Sequence, residues 1–295
     1  MLKEKQYPEL ILTFTPNTIE HLGVRMYSTA PPVIAELVAN SYDADATEVH
    51  IHLKDKVKKE IVISDNGHGM SFQDINDKFL RIGRNRRTEE ESQTSPKGRK
   101  VIGKKGLGKL SFFGIAQEIE VQTIKDGKKN SFLMRWTDIT KKGDKTKQRD
   151  YAPTILEFDV KNNKPSGTSI ILRSINRVSD FDANTLANSL SKIFITEPDF
   201  KIYVKHNENP DILIDNKRKY SQLEPQVKWN IPKDIDLESQ HNNIKLIKGQ
   251  LLATKKPISP NTHLRGITLF SRKKLVNAPE YFSDSTSSHF FSYLT

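Results

Sequence analysis

The sequence predicts an α/β (α+β) protein, with helices and strands interleaved along the chain, and three observations carry that expectation. Residues 30–46 repeat apolar side chains at helical spacing, several segments between 118 and 175 alternate in the manner of strands, and glycine-bearing turns join the two kinds of element. At 295 residues and 35% hydrophobic content, the chain has length for two domains and enough apolar material for a folded core.

Taken in order, LILTFT reads as a strand or strap ended by Pro16, and Thr18 to Ser28 has helical spacing with Asn17 or Thr18 as cap. Pro31 and Pro32 suit the first turn of the next helix, which runs to about Tyr42–Ala46. On that helix Ile34, Leu37, Val38 and Ser41 form the packing stripe, while Glu36, Asn40 and Asp43 fall on the opposite one. EVHIHL (48–53) and KEIVISD (59–65) follow as strands, the second ending at Asp65 directly before the turn DNGHGM. Strand, acidic residue and glycine turn is an order that builds sites, although DNG is also a good hairpin turn.

Residues 71–82 read as helix, 83–105 as a polar, basic loop, and GLGKLSFFGIA (106–116) as a helix beginning straight after the glycines. EIEVQTIK (118–125), SFLMRWT (131–137), TILEFDV (154–160) and GTSIILRSI (167–175) are expected strands, with 141–150 an exposed hairpin loop. A second unit is expected to begin between Asn176 and Pro210. It holds the helical ANTLANSLSKIF (183–194) and strands near KIYVK, IKLIKGQLLAT and GITLFSRKKLVN. The last residues, SSHFFSYLT, are apolar and lack a cap or polar tail, the pattern expected of a second domain that continues past Thr295.

Composition removes several function classes. The absence of cysteine excludes disulfides, thiolate metal sites and cysteine nucleophiles, and the eight histidines lack zinc-site spacing. No apolar run approaches the roughly 20 residues of a membrane span, and MLKEKQYPEL lacks a secretory hydrophobic segment, so a cytoplasmic location is expected. Of the net charge of +11, residues 81–109 hold ten Lys or Arg against Glu89, Glu90 and Glu91, a local +7. Such density suits nucleotide phosphates or nucleic acid, or a solvated loop.

Two phosphate motifs fail on inspection. GRKVIGKK (98–105) fits GxxxxGK but places lysine where a P-loop needs Ser or Thr, and GLGKLS lacks the third glycine of a dinucleotide fingerprint. The glycines at 103, 106 and 108 instead precede an expected helix, so backbone N–H groups there can face an anion.

ELVANSYDADA, DNGHGM, GKKGLGK and GTSIIL, in that order, resemble the N, G1, G2 and G3 boxes of the GHKL ATPases, which group gyrase B, Hsp90-class chaperones, histidine kinases and MutL. The resemblance implies a Bergerat-type two-layer sandwich, a mixed, mostly antiparallel sheet under helices, over residues 1–180 with a lid at about 83–109. Residues 181–295 are then expected to form a partial S5-like second domain. ATP and Mg²⁺ are the implied ligands. Glu36 resembles the general base, a role in which a carboxylate takes a proton from the attacking water. Asn40 resembles the magnesium ligand, since one neutral amide oxygen beside phosphate oxygens satisfies that ion. Asp43 is grouped with the nucleotide-binding residues. Asp65 resembles the aspartate that accepts the adenine amine, with Gly67 and Gly69 allowing close approach and Thr168 beside it. Met70 lines the base pocket or belongs to the core. Gly103, Lys104, Lys105, Gly106, Leu107, Gly108 and Lys109 resemble the phosphate loop.

Only some 30 residues precede Glu36, too few for the phosphoacceptor helices of a histidine kinase. GITLFSRKKLVNA resembles the strand–turn–strand of the second domain in MORC- and MutL-like members. That implies an ATP-driven homodimeric clamp acting on DNA, with residues 1–16 crossing to the partner. The alternatives are an Hsp90-like chaperone and a nucleotide-gated interaction module without turnover. Lys255 and Lys256 are possible γ-phosphate contacts, as is a residue past Thr295.

Overall fold

The computed structural model of the chain describes residues 12–14, 29–81, 94–102, 108–139, 149–175, 177–221, 223–234, 246–259, 262 and 264–280. These fall into two compact units, one running to Ile214 and taking in Arg272–Lys274, the other comprising Asp215–Ser271 and the residues from Leu275 onward.

The first unit opens with β1 (Leu12–Phe14), which pairs antiparallel with a short strand at Arg149–Tyr151 of the same chain. Helix α1 (Ala30–Asp43) carries Pro31 and Pro32 in its first turn, where the missing N–H groups have no intrahelical partner to lose. It ends where Asp45 turns to φ +61°. Strands β2 (Glu48–Lys54) and β3 (Glu60–Asp65) pair antiparallel, followed by a helical turn at Phe72–Asp74 that continues as a π turn over Ile75–Phe79. The region expected to be helical to residue 82 is therefore shorter. Its start is set by a reciprocal capping box between Ser71 and Asp74.

Gly108–Gly114 forms a 3₁₀ helix, and the chain enters β4 (Ala116–Lys125) at once. β5 (Lys128–Arg135) stops earlier than expected because Trp136–Ile139 winds into a helical turn. β6 (Thr154–Lys161), β7 (Gly167–Ile175), helix α2 (Ala183–Ile193), β8 (Lys201–His206) and β9 (Ile212–Leu213) complete the unit. The sheet has eight strands in the order β9-β8-β2-β3-β7-β4-β5-β6, antiparallel throughout except where β8 joins β2 in parallel. This is the mixed, mostly antiparallel sandwich expected. The parallel pair needs a crossover, and α2 supplies it, capped by Asp182 accepting from the N–H groups of Asn184 and Thr185. Residues 183–214, placed with the second domain by the sequence boundary near 180, thus sit in the first compact unit.

One face of the sheet is apolar and lies under the helices: Val49, Ile51, Leu53, Ile61, Ile63, Ile119, Val121, Leu172, Ile202 and Val204 are buried with Val33, Ile34, Leu37 and Val38 of α1 and Leu186, Ala187 and Leu190 of α2. The other face is polar. There His50 stacks on Tyr203 with ring centroids 4.7 Å apart, and Arg173 bridges Glu60 and Glu120.

At the sheet end remote from Asp65, Asp55 accepts from the Phe181 N–H, the Asn207 amide and His206 Nε2 at 2.8–2.9 Å. Burial opposes its charge, but these bonds prevail and lower its pKa to about 2. A depressed carboxyl stabilises the fold above its unfolded value near 3.8, and the contribution is lost as pH falls through about 2. Asp55→Asn is therefore expected to remove about 2 kcal/mol of stability at neutral pH and to flatten the acid limb between pH 4 and 2. Denaturant melts across that range measure both.

The second unit contains the antiparallel pair β10 (Pro225–Ile231) and β11 (Gly249–Thr254). In it Lys219 is buried with its ammonium 4.0 Å from the centre of the Phe270 ring, and burial draws its pKa down to about 8. The expected strand–turn–strand at 266–277 is present as β12 (Phe270–Ser271) and β13 (Lys274–Leu275), and its central residues Arg272–Lys274 belong to the first unit.

Candidate functional site

From Val33 to Asp43, every residue of α1 is buried except Glu36 and Asn40. Four-residue spacing puts both on one line of the helix, so a carboxylate and an amide are presented together from an otherwise sealed element. Asp43, expected beside them, is buried, and its carboxylate accepts the Ile102 N–H at 2.6 Å.

Asp65 ends β3, where register sets it opposite Thr168 of β7, which in turn lies opposite Thr123 of β4. Its Oδ2 accepts the Ser41 hydroxyl at 2.9 Å, and its Oδ1 accepts the N–H groups of Gly67 at 2.9 Å and Thr168 at 3.3 Å. Burial is the largest influence on this carboxyl and pushes its pKa up, against the three donors that pull it down. A carboxylate offers about four acceptor positions, so three bonds leave roughly one for an incoming donor.

The turn after Asp65 is fixed from both sides. The Asn66 side chain accepts the Thr47 and Glu48 N–H groups at 2.8 and 2.9 Å, and the His68 N–H reaches the Ala44 carbonyl at 2.9 Å. A Cβ on Gly67 would lie 2.6 Å from the Ala44 carbonyl oxygen, and Gly69, at φ +67°, would place one 2.0 Å from the Ile124 carbonyl oxygen. These glycines let the loop run against the protein's own backbone. Met70 packs partly buried on the core, and its N–H donates to Thr123 Oγ1 at 2.8 Å. Thr168 Oγ1 meets the same Thr123 hydroxyl at 3.1 Å.

Ser41 and Thr123 bond to the candidate site residues, and the sequence reading missed both. Ser41 does sit on the packing stripe, 4% exposed, but its hydroxyl serves Asp65. Thr123, 1% exposed in a strand of alternating pattern, offered no more signal than an ordinary β-branched residue.

Of the expected lid, residues 94–102 are described and are tied to the end of α1. Asp45 accepts the Ser95 hydroxyl at 2.5 Å and the Lys97 N–H at 3.0 Å. Arg99 donates to the Ala46 and Asp199 carbonyls and lies 4.8 Å from the centre of the Tyr42 ring. One cation of the basic stretch is thus engaged by the protein itself. Gly103, Lys104, Lys105, Gly106 and Leu107 lie outside the described residues, as does the Lys109 side chain; Gly108 starts the 3₁₀ helix. Lys255 and Lys256 follow β11 in the second unit. The lysine that touches Glu36 is Lys274, with Nζ 2.6 Å from Oε1.

A family model described as histidine kinase-, DNA gyrase B-, and HSP90-like ATPase matches residues 27–168. That span includes Glu36, Asn40, Asp65 and Thr168. Among curated proteins the chain is similar to a putative type II restriction enzyme, HgiDII, of Herpetosiphon aurantiacus. The two are 40% identical over 205 residues, covering 70% of this chain and 31% of that protein. It is 28% identical over 247 residues to the chaperone protein HtpG of Wolbachia pipientis wMel, covering 74% of this chain and 34% of the chaperone. It is also 29% identical over 144 residues to HtpG of Francisella tularensis subsp. novicida, covering 42% and 23%. The chain spans about a third or less of the length of these relatives.

Proposed function

Through residues 27–168 the chain belongs to the histidine kinase-, DNA gyrase B- and HSP90-like ATPase family, and on that premise we propose that it binds and hydrolyses ATP with Mg²⁺. The observation that carries the proposal is the pairing of two kinds of group. Asp65 is a partly desolvated carboxylate with one acceptor position to spare, which suits the exocyclic amine of adenine, and Glu36 and Asn40 are the two positions left unburied between Val33 and Asp43 of α1. Asn40 would hold Mg²⁺ through its amide oxygen, a hard neutral donor, and the ion when bound would supply charge neutralisation to the phosphates. Glu36 takes a proton from the attacking water, and Lys104, Lys105 and Lys109 supply positive charge for the phosphates.

We further propose that ATP orders the lid at 83–109 and promotes a homodimeric clamp acting on DNA. The net charge of +11 and the similarity to a restriction enzyme favour DNA as the client. In the clamp residues 1–16 cross to the partner, an exchange of the pairing that β1 makes within its own chain. No helix of the described residues is long and apolar enough to cross a membrane, and a cytoplasmic location accords with the proposal.

A chaperone reading is the runner-up, favoured by the HtpG similarity. Salt dependence separates the two. Duplex DNA binding is expected to weaken log-linearly with salt, by at least about tenfold between 50 and 200 mM. Fluorescence anisotropy with a labelled duplex measures the slope, and a flat one contradicts the DNA reading.

A further inference from the structure

We infer that Lys274 is a positioning residue for Glu36, holding its carboxylate through one oxygen so that the other faces the attacking water. The inference rests on the hydrolysis reading above. Lys274 Nζ is 2.6 Å from Glu36 Oε1, across 238 residues of sequence, with the two side chains 19% and 28% exposed. Among the described residues no other side chain is seen to bond this carboxylate.

An exposed lysine–carboxylate pair is usually worth little, because a flexible lysine gives up much rotamer freedom to hold one geometry. This lysine differs in what lies beneath it. The Ile195 N–H donates to the Lys273 carbonyl at 2.8 Å, and Lys274 forms an antiparallel bridge with Phe194, a residue 1% exposed. Lys273 Nζ sits 2.6 Å from Asp199 and 3.1 Å from Glu197, and the Arg272 guanidinium donates to the Val101 carbonyl. Three consecutive basic residues therefore each reach an acceptor in the first unit, and the backbone that carries Lys274 is pinned on both sides.

The turn itself supports the inference. Arg272 and Lys273 have φ of +52° and +69°, the left-handed region that long side chains seldom occupy. Such conformations persist where surrounding contacts over-determine them, and they gather at sites where direction matters. Here the left-handed pair turns the chain sharply between β12 and β13, and Lys274 emerges aimed at α1.

The chemistry needs such aim. In hydrolysis the water oxygen bonds to the γ-phosphorus, its proton passes to Glu36, and the β,γ-bridging oxygen leaves with ADP. Glu36 has three side-chain torsions, and a base is effective only when held to within about 0.5 Å of its working position. An ammonium on Oε1 fixes the carboxylate and leaves Oε2 free. The opposite role, a latch that sequesters Glu36, makes the opposite prediction about rate.

Steady-state MgATP turnover of the full chain tests this with four variants: Lys274→Met, Lys274→Arg, Glu36→Gln, and the Lys274→Met/Glu36→Gln double variant. The expected result for Lys274→Met is a kcat at least about tenfold lower, with the ATP KM within about twofold of the unaltered chain. Lys274→Arg, which keeps a cation and a donor, restores most of that loss and covers the case in which the methionine variant fails to fold. Adding Lys274→Met to Glu36→Gln produces no further loss, because the lysine acts through the glutamate. Unchanged or raised kcat in Lys274→Met, with Glu36→Gln inactive, overturns the positioning role and leaves the hydrolysis reading standing. Absent turnover in the unaltered chain, or undiminished turnover in Glu36→Gln, overturns the hydrolysis reading and the inference with it.

Discussion

Asp65→Asn is expected to raise the ATP dissociation constant at least about tenfold, equivalent to about 1.4 kcal/mol, while the protein stays folded. The two halves of that expectation come from the same hydrogen bonds. An asparagine can keep its carbonyl oxygen on the Gly67 and Thr168 N–H groups and turn its amide toward Ser41. The serine hydroxyl already lies 3.2 Å from the Leu37 carbonyl and can rotate to donate there while accepting from the new amide. The stability cost is then about 1 kcal/mol, visible as a small shift in thermal melting. The adenine amine, however, now meets a donor where it met an acceptor. Isothermal titration with ATP measures the affinity; an unchanged value contradicts the role given to Asp65.

Glu36→Gln acts at the other end of the nucleotide. It is expected to lower phosphate release by about 10²-fold or more while ATP binding is retained, since general-base catalysis contributes about 10²–10⁴ in rate. Glutamine preserves the size of the side chain and can still accept from Lys274 through its carbonyl oxygen. The loss therefore reports proton transfer and not the collapse of the helix face. A phosphate-release assay on the variant, with binding measured in parallel, decides between an enzyme and a nucleotide-gated module that never turns over.

Much of the fold was legible because its determinants are local. Helix α1 announces itself by Pro31, Pro32 and the apolar stripe, and β2, β3, β4 and β7 by the alternation that places Val49, Ile51, Ile61, Ile63, Val121 and Leu172 on one buried face. The parallel pairing of β8 with β2 depends on partners about 150 residues apart, and nothing in KIYVK names β2 as its neighbour. For that reason the sequence boundary near 180 falls short of the compact unit that ends at Ile214.

At the site, Glu36, Asn40 and Asp65 stand out because the segments that hold them, ELVANSYDADA and DNGHGM, resemble family boxes and are followed in order by GKKGLGK and GTSIIL. Ser41 and Thr123 do not, since a small hydroxyl residue in a buried stripe reads as packing. Asp43 reads as a site residue on the stripe of Glu36 and Asn40, yet its carboxylate holds the Ile102 N–H, while that of Asp45 holds Ser95 and Lys97. Lys274 reads only as part of the strand–turn–strand expected at 266–277, because no local pattern carries a contact with Glu36.

The central claim is that one nucleotide lies with its adenine at Asp65 and its terminal phosphate toward Glu36 and Asn40. Crystals grown with Mg²⁺ and a non-hydrolysable ATP analogue test it most directly. The account predicts density with the adenine amine within hydrogen-bond distance of the Asp65 carboxylate and the γ-phosphate facing the open line of α1. Density elsewhere on the protein, or none at saturating analogue, contradicts it.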